Sequence, residues 1–195
     1  MLVRYLTHPQ IEIEPYMPVR QWSLSDQGQA RIEALMSQSW LLGTKSIYCS
    51  DEPKALETAA PIGRALDIPV IVRAQMVEND RSSTGFVPPE MFEDLVSLFF
   101  SNPDKSIRGW ECASDAQARI VGAFELAMSE VKGRDRMGDV LMVGHGGVGT
   151  LLYCHLTGLP IDGRYDQKSG GGCYFTYDWA ERSMLHSWLP MEEEF

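Results

Sequence analysis

Met1–Gln10 reads MLVRYLTHPQ, and the way it ends decides the fold. Residues 1–7 form an apolar, strand-like run that stops at His8, with Pro9 directly behind it. Ligands of open parallel α/β sheets bind just beyond the carboxyl ends of strands. A strand that terminates in a reactive side chain therefore points to that architecture. A second ending of the same kind lies at Asp139–Gly149, DVLMVGHGGVG, where an apolar run stops at His145. Two strand-end histidines are the main functional signal in the chain.

Working outward, Pro9, Pro15 and Pro18 predict a surface loop over residues 9–24. A helix follows, with Ser25 or Asp26 as its cap and Ile32, Leu35 and Met36 as its apolar stripe. Residues 45–49 read as a short strand and 53–66 as a helix, with Pro53 in the first turn and Ser50 or Asp51 as cap. A third strand is expected at 69–72, helices at 87–100 and 114–131, a strand at 139–143 and a helix at 148–156. Gly170-Gly171-Gly172 marks a break before two short strands at 173–177 and 184–189, read as a hairpin. This order predicts a three-layer α/β/α sandwich with a mainly parallel central sheet. Residues 1–195 form a single domain in this reading, with a lid or insertion at 82–110.

The composition fits that fold. A chain of 195 residues can bury roughly 70% of its unfolded surface, so it needs neither disulfide nor metal for stability. A net charge of −10 argues against nucleic acid and anionic membranes as partners, because both are bound by basic surface. It leaves room for a small phosphorylated substrate in a locally positive pocket. Cys49, Cys112, Cys154 and Cys173 form no CxxC pair and no zinc spacing, and read as reduced cysteines. No apolar run approaches the length of a membrane span, and the start is too short for a signal peptide. The reading is a cytoplasmic protein. Oligomeric state is not legible.

Each candidate site residue also has a plain structural reading. A lone histidine is more often structural than catalytic, but the strand-end position of His8 shifts that balance. His145 stands in Gly144-His145-Gly146-Gly147, where glycines allow close backbone approach to a ligand or simply a tight strand–helix turn. Gly144-x-Gly146-x-x-Gly149 formally matches a dinucleotide fingerprint, but too little chain follows for the second βα unit this motif requires. Lys54 falls in the first turn of a helix, where it opposes the helix dipole. That placement makes sense beside an anion, although a solvated lysine is the common case. Glu78, after the third strand, is either a general acid or an exposed loop glutamate.

Together these segments resemble the histidine phosphatase superfamily, also called phosphoglycerate mutase-like. The end of the first strand at His8 is similar to its Arg-His-Gly segment. Trp22-Ser23-Leu24-Ser25-x-x-Gly28 is similar to its W-x-L-(S/T)-x-x-G turn, and Ser50 through Ala59 to its S-x-x-x-R-A-x-x-T-A motif. Glu78 matches its strand-end acid, Glu111 and Arg119 its G-E-S…R helix start, and Val143–Gly147 its V-x-H-G-G. Two departures stand out. Thr7 occupies the place of the first pocket arginine and Lys54 that of the second. Arginine grips phosphate with a bidentate fork, whereas lysine offers a point charge. Losing one charged hydrogen bond costs roughly 1.5–3 kcal/mol. Arg20 and Arg81 are the candidates to compensate, with Arg4 less free inside its strand.

The resemblance implies a metal-independent phosphomonoester hydrolase with no cofactor, acting through a phosphohistidine on His8. Glu78 would serve as general acid and His145 as charge stabiliser. Thr7, Lys54, Arg20, Arg81 and the Gly146 amide would bind substrate. The alternative is a catalytically weak or inactive member that binds a phosphorylated or acidic ligand. Tyr5, Trp22, Phe86 and Trp110 are candidates for the mouth of the pocket.

Overall fold

The computed structural model describes residues 1–132 and 138–195. Six strands form one sheet: β1 (Leu2–Thr7), β2 (Thr44–Cys49), β3 (Val70–Val72), β4 (Asp139–Gly144), β5 (Cys173–Asp178) and β6 (Ser183–Pro190). Their spatial order is β3-β2-β4-β1-β5-β6. The pairs β3/β2, β2/β4 and β4/β1 are parallel, while β1/β5 and β5/β6 are antiparallel. The expected mainly parallel sheet and terminal hairpin are both present.

Among the described residues five α-helices cover the sheet: α1 (Asp26–Leu35), α2 (Pro53–Leu66), α3 (Pro89–Ser101), α4 (Ala113–Lys132) and α5 (Gly146–Thr157). Strand β4 shows why the layers form. Val140 and Met142 enter a core with residues of α3, α4 and α5, while Leu141 and Val143 enter one with residues of α1 and α2. Alternate side chains of a strand point to opposite faces, so a strand buried on both reads as one continuous apolar run. No helix among the described residues is long and apolar enough to cross a membrane.

Three expectations need correction. Tyr5 and Trp110 do not line a mouth; both are buried in the core beside α4 and α5. The Tyr5 hydroxyl accepts from the His145 amide at 3.1 Å. The Trp110 indole N–H donates to Thr84 Oγ1. The residue preceding α2 is Glu52, and its side chain makes no cap hydrogen bond. Ser25 does cap α1, accepting from the Gly28 amide at 3.2 Å. Arg4 is held in an ion pair with Asp139 at 2.9 Å.

Candidate active site

Parallel pairing of β1 with β4 brings both histidines to one edge of the sheet. The ladder continues past the strands, with the His8 amide donating to Gly144 O at 3.0 Å. The two imidazoles meet edge to face, centroids 5.2 Å apart and planes at 68°. His8 Nδ1 lies 2.8 Å from Pro9 O. A carbonyl only accepts, so Nδ1 carries the proton and Nε2 keeps its lone pair. Burial, with Lys54 and Arg81 also opposing a positive charge, pushes the His8 pKa down to about 4. The ring is neutral at physiological pH.

His145 is fully buried, and burial holds its pKa well below the usual histidine range. Its Nε2 sits 2.8 Å from Ser50 Oγ, and Glu52 Oε1 is 3.7 Å away. Its Nδ1 has no hydrogen-bond partner among the described residues. Ser50, expected as a helix cap, thus orients a histidine across the sheet.

Glu78 leaves the segment after β3 and caps α5. One carboxylate oxygen accepts from the Gly147 amide at 3.1 Å, the other from the Val148 amide at 3.0 Å and the Asn79 amide at 3.0 Å. A carboxylate at a helix N-terminus is favoured by the free amides and the dipole. The Gly147 amide is therefore occupied by Glu78. Arg119 on α4 fixes this segment. It pairs with both Glu111 oxygens at 2.9 and 2.7 Å and donates to the carbonyls of Gln75, Val77 and Glu78.

The cationic residues fall into different places. Lys54 Nζ is bonded to Glu52 Oε2 at 2.5 Å and to Val19 O at 3.1 Å, with its side chain only 3% exposed. Glu52 also accepts from the Glu78 amide at 3.0 Å. The lysine expected to face a ligand thus already holds an anion, and sequence reasoning missed Glu52. No sequence signal marks it, because an acid at a helix start reads as solvated. Thr7 is buried and ties β1 to β5, accepting from the Cys173 amide at 3.0 Å and donating to Gln167 Oε1 at 2.6 Å. Gln167, also missed, lies against Gly146, where an added Cβ would stand 2.5 Å from its Nε2. Arg20 is exposed and paired with Asp51 at 2.9 Å. Arg81 stacks its guanidinium 4.7 Å from the Phe92 ring and has no ion-pair partner among the described residues. Its charge acts on both His8 and His145.

The fold and the paired histidines define an α/β protein with its candidate site at the carboxyl ends of the parallel strands β1 and β4. A sequence model of the histidine phosphatase superfamily (branch 1) matches residues 17–185, and the chain belongs to that superfamily. No curated protein matches the sequence. Among solved structures, it is similar to mycobacterial glucosyl-3-phosphoglycerate phosphatase in complex with inorganic phosphate. That pair is 20% identical over 99% of each chain, with a TM-score of 0.76. Bacillus stearothermophilus YhfR is 17% identical, over 98% of this chain and 99% of its own, with a TM-score of 0.77. The α-ribazole phosphatase of Shigella flexneri is 19% identical, over 99% and 96%, with a TM-score of 0.73. At these identities the likeness is one of fold.

Proposed function

We propose that the protein hydrolyses a small phosphorylated substrate, a phosphomonoester, through a phosphohistidine on His8. The observation that carries this reading is the His8–Pro9 contact, which fixes the tautomer and leaves Nε2 unprotonated. Nε2 attacks phosphorus and the P–O bond to the leaving group breaks. Glu78 gives its proton to the leaving oxygen and later takes one from the water that releases phosphate. His145 donates from Nδ1 to a phosphoryl oxygen, with Ser50 holding Nε2. Arg81 supplies the guanidinium that Thr7 and Lys54 do not. The segment 82–110 covers the substrate. Four free cysteines suit a reducing, cytoplasmic setting.

The Glu52–Lys54 pair favours a second reading, a binding protein with weak catalysis, because it withdraws a cation from the phosphate. Trapping separates the two. Wild-type protein incubated with a radiolabelled phosphomonoester should acquire acid-labile label and turn over, and His8→Ala should do neither. Absence of label and turnover in the wild type, across a broad panel of esters, would establish the binding reading.

A further inference from the structure

We infer that the pocket is built for a phosphoryl group bearing one negative charge, and that Glu52 sets this preference by holding Lys54. The inference rests on the reading of the His8 pocket as a phosphoryl site. It concerns what the pocket binds rather than the reaction.

Four ionised side chains surround the paired imidazoles, and they cancel. Lys54 is matched by Glu52, both side chains 3% exposed and in direct contact. Arg81 makes no ion pair among the described residues, but the fields of both Glu78 and Glu52 act on its guanidinium. Both imidazoles are neutral. At the end of β1, an arginine place is taken by the Thr7 hydroxyl, already spent on Gln167 and Cys173. The Gln167 carboxamide beside it offers N–H donors without charge. A dianion would enter a site with two carboxylates and no surplus cation. With the four groups summing to zero, every phosphoryl charge enters without a surplus cation. A monoanion therefore costs less to bind here than a dianion. A phosphodiester carries a single charge at every pH, and a phosphomonoester carries it only when singly protonated.

Glu52 is a specificity residue in this account, since it lies behind Lys54 and beside His145 without being needed for proton transfer. The test compares dissociation constants of methyl phosphate, mostly dianionic at about pH 8, and dimethyl phosphate, a monoanion. Both are titrated calorimetrically into the full chain. Dimethyl phosphate is expected to bind the wild type at least as tightly as methyl phosphate. In Glu52→Gln, methyl phosphate should gain about tenfold or more in affinity and the order should reverse. The double variant Glu52→Gln with Lys54→Met removes both charges and should keep the wild-type order. If Glu52→Gln does not fold, the wild-type order and the double variant decide. A wild type that prefers methyl phosphate by about tenfold, or binds neither ester at millimolar concentration, overturns the inference. Label on His8 together with a preference for the dianion defeats this inference alone. A preference for the monoanion without label defeats the hydrolase reading alone.

Discussion

His145 Nε2 stands 2.8 Å from Ser50 Oγ, so the histidine that follows β4 is oriented by the residue that follows β2. Both groups are fully buried. Ser50→Ala leaves a buried ring nitrogen unpaired and also removes the acceptor of the Glu52 amide. A stability loss of about 1–3 kcal/mol is expected, measured by urea unfolding. A change below about 0.5 kcal/mol would mean that the contact contributes nothing to orienting the ring.

The lowered pKa of His8 has a fixed sign. Its ordinary value is 6.5 and its folded value about 4. Between these the unfolded chain binds more protons, so the stability from this group is fully present above the ordinary value. It is lost as pH falls towards the folded one. The slope is at most about 1.4 kcal/mol per pH unit for one proton. His145 acts in the same direction. Unfolding midpoints measured from about pH 7 down to about pH 4.5 should fall more steeply in the wild type than in His8→Asn. As nucleophile, neutral His8 should also give an acid limb in kcat/KM near about 4 rather than near the ordinary histidine value.

Much of this site was legible because its parts end strands. Leu2–Thr7 and Asp139–Gly144 are buried on both faces, so their apolar runs announce themselves and place His8 and His145. Glu78 followed from its position after β3. Glu52 was not legible, because a glutamate at a helix start reads as solvated and nothing local says that Lys54 will turn back onto it. Gln167 was hidden for another reason, since its contact with Thr7 crosses most of the chain. Tyr5 and Trp110 were misread because an aromatic residue near a cleft and one beneath it have the same sequence signature.

Glu78→Gln tests the acid. A general acid and base contributes roughly 10²- to 10⁴-fold, most with alkyl leaving groups that need a proton. Turnover of an alkyl phosphate should collapse, while p-nitrophenyl phosphate, whose leaving group needs little help, should lose less. Equal losses on both esters would assign Glu78 to capping α5 alone.

Arg119 is the clamp on the Glu78 segment. Its guanidinium joins Glu111 to three carbonyls of residues 75–78, which no lysine can reproduce. Arg119→Ala should cost at least about 3 kcal/mol, as several charge-assisted bonds are lost together. Arg119→Lys should recover little of the activity. Full recovery by lysine would show that only the charge matters.

Gly171 lets the loop after α5 close on the His8 backbone. Its φ is +64°, and an added Cβ would lie 2.3 Å from His8 O, the same oxygen that accepts from the Gly172 amide at 2.9 Å. The obstructing atom is backbone, so relief requires moving either the strand end or the loop. An L-residue in this conformation alone costs roughly 1–2 kcal/mol, and the clash adds to it. Gly171→Ala should therefore lower the melting temperature and displace the His8 backbone, reducing phosphohistidine label even in the folded fraction. Gly122, whose added Cβ meets nothing within 4 Å, provides the control for a glycine-to-alanine change without a clash. Gly122→Ala should label normally. If Gly171→Ala labels equally well with an unchanged melting temperature, the loop does not constrain His8.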